Sequence, residues 1–146
     1  MGRVTAAEDV AAIIASSYAL GRIAAQTTGN QTPVVQWRAL GVLEKEGPRR
    51  LGELALAART TQPGMTKLAA QLAEQGLVER GEDPSDSRAT VVSITPAGGA
   101  ALAAWRAELR DVIAPLFAGL DDDDRAALAR TAALLARRTE LTAVAR

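Results

Sequence analysis

Residues 60–76 read TTQPGMTKLAAQLAEQG, and residues 82–90 read EDPSDSRAT. In the first stretch Thr61 suits a helix N-cap, and Gln62 and Pro63 fall in the first turn, where a missing N–H is harmless. Met65, Leu68 and Leu72 recur at steps of three and four, so they share one side. Gln62, Pro63, Thr66, Lys67 and Ala70 project from the other. Gly76 ends the helix as its C-cap. Residues 77–82 and 89–95 have β-branched character and predict two strands, with Thr90, Val92 and Ile94 on one face. EDPSDSR then joins them as a hairpin loop. A plain turn needs only Pro, Asp, Ser or Gly, so Arg88 at the end of this loop calls for a further reason.

Working outward, a first helix is predicted over about 6–27, where Val10, Ile13, Ile14, Ser17, Leu20 and Ile23 form one apolar face. TTGNQT breaks it. Thr32-Pro33 restarts a helix, with a hydroxyl N-cap and proline at the first helical position. Val34, Val35, Trp37, Leu40 and Leu43 continue it until Gly47-Pro48. A short helix over 51–58 precedes the one that begins near Thr61. After the hairpin, Thr95-Pro96 opens a long helix in which Leu102, Trp105, Leu109, Val112 and Leu116 alternate steps of three and four, a seam suited to a partner helix. Pro115 ends or kinks it near Ala114. Leu120-Asp121 opens the last helix, with Leu128, Leu134 and Leu135 apolar and Arg137-Arg138 at its basic C-terminal end.

Two short helices with a tight turn, followed by a two-stranded hairpin, make a winged helix-turn-helix. The second helix suits a major groove, and the hairpin tip suits the adjacent backbone or minor groove. The ordered combination QLAEQGLVER, then Asp86 and Arg88 spaced as DxR, then a hydrophobic strand ending in TPAG, resembles the MarR family of transcriptional regulators. QWRALGVLEKEGP and the helical tail fit the same pattern, so the resemblance covers nearly the whole chain.

The resemblance implies a mainly α protein with a small β-hairpin wing, forming a single domain over 1–146. Within it, 32–95 would be a DNA-binding lobe, and 1–30 with 97–146 would be dimerisation helices. It also implies a homodimer that binds a double-stranded operator, more as repressor than as activator. Thr61, Gln62, Pro63, Thr66 and Lys67 would face the major groove and Arg80 the backbone. Arg88 would reach the minor groove from the wing, and Asp86 would hold Arg88. Family members bind small, often aromatic ligands between the dimer core and the DNA-binding lobe, which makes Tyr18, Arg22 and Trp37 the candidates for an effector. Arg59 departs from the pattern, which has a small turn residue there; either the turn is distorted or Arg59 contacts phosphate. With Lys67 the only cation on the recognition helix, either phosphate affinity is modest and its salt slope shallow, or Arg49, Arg50, Arg80 and Arg88 supply most of it.

Composition bounds these readings. The chain has 146 residues, 48% of them hydrophobic, which suits one globular domain. Only Tyr18, Trp37, Trp105 and Phe117 are aromatic, so Ala, Leu, Val and Ile must build the core. Every apolar run is interrupted by charge, which excludes a helical membrane span. The N-terminus carries Glu8 and Asp9 and lacks a cleavage signal, so a cytoplasmic protein is expected. There is no Cys and no His, hence no thiol switch, no thiolate metal site and neither of the commonest zinc ligands. No cofactor is expected. Ser16, Ser17 and Tyr18 have no base beside them, so the chain is not read as an enzyme. Asp121–Asp124 lack the alternating carboxylates, turn glycine and distal glutamate of a calcium loop; they read as acids favoured by a helix N-terminus. Trp37 and Trp105 read first as packing residues. Net charge is zero, and residues 47–95 hold six basic and six acidic side chains. That neutrality is atypical of nucleic-acid binding and keeps open the alternative of a winged-helix module for protein–protein interaction.

Overall fold

The computed structural model describes residues 5–144. They fall into two compact units, one up to Val112 and one from Ile113 onward. The first contains α1 (Ala6–Thr28), α2 (Val34–Glu46), β1 (Arg49–Arg50), α3 (Leu51–Ala57), α4 (Gln62–Glu74), β2 (Val78–Asp83), β3 (Asp86–Ile94) and nearly all of α5 (Pro96–Ile113). The second contains a 3-10 turn (Ala114–Phe117) and α6 (Asp122–Val144). A mainly helical chain thus carries one small antiparallel sheet of order β1-β3-β2, in the winged-helix arrangement.

Local chemistry explains most of the element ends. Thr5 and Glu8 form a capping box on α1. The Thr5 amide donates to Glu8 Oε2 at 2.6 Å, and the Glu8 amide donates to Thr5 Oγ1 at 3.3 Å. The Thr5 backbone N–H holds the Glu8 carboxyl below its ordinary pKa. Gly29 closes α1 with φ of 63°. Thr95 caps α5, its Oγ1 accepting from the Gly98 amide at 3.0 Å and donating to the Gly76 carbonyl at 2.6 Å. Gly98 is required there, because a Cβ would run into the Leu77 carbonyl oxygen and lie 2.9 Å from Ile94 Cγ1.

The core of the first unit is built from helix faces and one strand face. Leu40 and Leu43 of α2, Leu54 of α3, Met65, Leu68 and Leu72 of α4, Val78, Val92 and Leu102 are all buried, with alanines filling the close approaches. Each large side chain contributes roughly 1.5–3 kcal/mol relative to exposure. Trp37 and Trp105 pack at its edge, stacked at 5.2 Å with their planes 7° apart. Arg106 Nη1 reaches Glu44 Oε1 at 2.6 Å and ties α5 to α2. By contrast α1 buries only Ala24, outside this cluster. Val10, Ile13, Ile14 and Ile23 stay 36–50% exposed, so the apolar face of α1 is uncovered within one chain.

Several expectations are corrected. Pro33, not Thr32, is the N-cap of α2, and no side chain caps that helix. The Thr32 amide instead donates to Asn30 Oδ1 at 2.9 Å. The hairpin strands run further than their β-branched residues suggest, leaving only Pro84 and Ser85 between Asp83 and Asp86, which pair with each other beside an irregularity at Glu82/Asp83. The sheet has a third strand, β1, that pairs Arg49 with Val92 and Arg50 with Val91. The proposed α5 seam is divided: Leu102 is buried in the core and Trp105 stacks within the chain, while Leu116 lies beyond the helix, 53% exposed. Arg137-Arg138 sit inside α6, which continues to Val144. Asp121 caps that helix, Oδ1 accepting from the Asp124 amide at 2.8 Å, and Asp122 pairs with Arg125.

Candidate nucleic-acid interface

The start of α4 is organised by Thr61, whose Oγ1 accepts from the Gly64 amide at 3.1 Å. The apolar stripe of this helix is buried, which turns Gln62, Pro63, Thr66 and Lys67 to solvent beside the cap. Thr66 Oγ1 donates to the Gln62 carbonyl at 2.9 Å, leaving its lone pairs free to accept. Lys67 and Arg80 are exposed and make no ion pair among the described residues.

The wing is braced by two carboxylates with separate tasks. Asp86 Oδ1 accepts from the Arg88 amide at 3.0 Å and from Arg88 Nε at 3.3 Å, while the Arg88 side chain stays 91% exposed. Arg88 is therefore aimed by a neighbour yet fully available. Asp83 organises the tip. Its Oδ1 accepts from the Ser85 amide at 2.8 Å and Ser85 Oγ at 2.7 Å, and its Oδ2 accepts from Arg50 Nε at 2.6 Å. These donors, the Ser85 amide first, hold the Asp83 carboxyl down to about 2. In return, Asp83 raises the pKa of Arg50. Sequence reasoning missed both roles. The Asp-Pro step marked a turn, but no local signal links it to a residue 33 positions earlier.

This pairing redistributes the basic residues. Arg50 is committed to Asp83, and Arg49 to Glu46 at 3.5 Å and to the Pro48 carbonyl at 2.8 Å. Of the four arginines expected to meet phosphate, Arg80 and Arg88 thus remain the more available.

At Arg59 the turn keeps a regular hydrogen-bond pattern. The Thr60 amide donates to the Ala55 carbonyl at 2.9 Å and the Arg59 amide to Leu56 at 3.2 Å, a Schellman turn ending α3. Arg59 takes its left-handed position at φ of 58°, the one non-glycine in that region among the described residues. The same turn ends α4, with Gly76 in that position at φ of 75°. The backbone is undistorted, and arginine bears a cost of about 1–3 kcal/mol that glycine avoids. Its Nη1 donates to Tyr18 Oη at 3.2 Å.

The three effector candidates lie on two helices, Tyr18 and Arg22 on α1 and Trp37 on α2. Tyr18 is 57% exposed and bonded to Arg59, Arg22 is exposed one helical turn further along α1, and Trp37 stacks on Trp105 with Nε1 buried and unpartnered. None of them lines the open polar cleft of about 560 Å³ where Gln31 and Gln36 face Gln71, Glu74 and Gln75.

Comparison with known proteins accounts for this arrangement. The model of the MarR family matches residues 30–89, which span α2, the helix-turn-helix and the wing through Arg88. An HTH-type transcriptional regulator of Mycobacterium tuberculosis is 34% identical over 100 residues, 68% of this chain and 70% of that one. The chain belongs to the MarR family. A MarR family protein from Bacillus stearothermophilus has the same fold, with a TM-score of 0.71 at 19% identity, covering 96% of this chain and 99% of that one. BpsR of Bordetella bronchiseptica, whose DNA binding is regulated by 6-hydroxynicotinic acid, superposes with a TM-score of 0.59 at 22% identity, over 92% of this chain and 98% of that one.

Proposed function

We propose that this MarR family member is a homodimeric, cytoplasmic repressor that binds a palindromic operator and is not an enzyme. The carrying observation is the pairing of a solvent-facing polar edge on α4 with a wing whose Arg88 is 91% exposed and held by Asp86. Thr61, Gln62, Pro63, Thr66 and Lys67 read base edges and Arg80 meets phosphate. Arg88 enters the minor groove, where the gain is electrostatic and shape-dependent. Residues 32–95 form the DNA-binding lobe of one functional domain, and 1–30 with 97–146 form the dimer core. The uncovered apolar face of α1 supports that assignment. The two recognition helices then meet half-sites one helical turn, ~10 bp, apart.

A small aromatic effector, contacted by Tyr18, Arg22 and Trp37, shifts the dimer away from that spacing. The regulation of BpsR by 6-hydroxynicotinic acid makes this class of ligand a reasonable first choice.

A gel-shift with the duplex upstream of the protein's own gene at ~50 mM salt tests the reading, since phosphate contacts are strongest at low salt. Specific retardation is expected. Absence of binding to any duplex would move the protein to the competing role of a protein-interaction module, which the equal numbers of basic and acidic residues over 47–95 favour. Light scattering after size exclusion tests the assembly; a monomer at micromolar concentration contradicts it.

A further inference from the structure

Arg59 occupies a backbone position that suits glycine, and its side chain makes one hydrogen bond, to Tyr18 Oη at 3.2 Å. That bond joins α1 to the turn that delivers Thr61, the cap of α4. Among the described residues it is the only side-chain hydrogen bond between α1 and the helix-turn-helix. Within the described residues α1 buries only Ala24, outside the core cluster, and Tyr18 itself is 57% exposed, so packing around Tyr18 does little to duplicate the tie. The turn itself does not require arginine, because Gly76 completes the same hydrogen-bond pattern after α4.

We propose that Arg59 is a positioning residue that couples α1 to the recognition helix through Tyr18, so that the placement of α1 sets the affinity of α4 for DNA. This rests on the reading of α4 as a recognition helix. The bond fixes the α3–α4 turn two residues before Thr61, and a small rotation there displaces Gln62 and Thr66 together. Breaking that bond would free the turn, and this bonded-or-released choice is what would make the contact a coupling element.

The test separates positioning from stability. Arg59→Gly relieves the left-handed strain and is expected to raise Tm by a few degrees. It is also expected to weaken binding to the upstream duplex about fivefold or more. Tyr18→Phe removes only the hydroxyl, leaves Tm nearly unchanged and weakens binding by a similar factor. The double variant binds no worse than either single one, because both remove the same bond. Wild-type affinity in Arg59→Gly, or losses that multiply in the double variant, overturns the proposal. Hydrogen exchange on the full chain gives a readout independent of DNA: amides 59–66 should exchange faster in Tyr18→Phe than in wild type. Unchanged exchange there overturns the coupling even if no duplex is bound. Faster exchange with no duplex bound by the wild type supports the coupling and rejects the DNA reading alone.

Discussion

Arg50 Nε lies 2.6 Å from Asp83 Oδ2, so a two-residue strand before the helix-turn-helix grips the tip of the wing. Asp83 is only 15% exposed, and Ser85 binds its second oxygen. Its folded-state pKa, about 2, lies below the ordinary 3.8. Its stabilising contribution is therefore complete above the ordinary value and is lost as pH falls toward about 2. Urea midpoints of wild type and Asp83→Asn should differ at ~pH 5 and converge as the pH approaches the folded pKa. A difference that stays constant across that range would remove the charge from the explanation.

Arg88 should behave as a contact and not as a brace. Its side chain is 91% exposed, and the bond to Asp86 is at the surface, so Arg88→Ala is expected to shift Tm by less than about two degrees. Duplex affinity should fall about tenfold. Fluorescence anisotropy beside a thermal melt measures both; undiminished binding would leave Arg88 as an ordinary hairpin residue.

The salt dependence of binding should be shallow. With Arg49 and Arg50 engaged by Glu46 and Asp83, the cations left to the proposed interface are Lys67, Arg80 and Arg88. Three contacts per subunit give roughly six per dimer, hence a slope of log K against log salt near −5. A slope near −10 would require further cations at the duplex.

Gly98 should tolerate no side chain. A methyl group there meets the Leu77 carbonyl oxygen and Ile94 at the junction of β2, β3 and α5. Gly98→Ala is expected to cost about 1–3 kcal/mol by overpacking, seen as a lower urea midpoint. Gly99→Ala, with open space around it, serves as the control and should not destabilise.

The parts legible in sequence were those with local causes. Thr61, Gln62 and Pro63 mark the start of α4, and the steps among Met65, Leu68 and Leu72 set its buried side. The β-branched residues flanking EDPSDSR mark the wing, and family resemblance supplies the Asp86–Arg88 pair, whose spacing is two residues. What was not legible depends on distance along the chain. β1 is too short to show a period, and its meaning comes from Val91 and Val92. The α5 repeat looked like a seam for a partner because nothing local says that Trp105 is met by Trp37. Arg59 was visible as a departure from the pattern, but neither its left-handed backbone nor its bond to Tyr18 was.

The grip of Arg50 on Asp83 bears on how this protein could be recombined with its relatives. The hairpin between Val78 and Ile94 looks like a self-contained cassette, yet part of its tip is held from outside that segment. Grafting those residues alone onto another scaffold leaves an acid without its guanidinium. A transplant that keeps the tip's shape must begin at Arg49, carrying both helices of the motif along, so α3, α4 and wing form the smallest exchangeable piece.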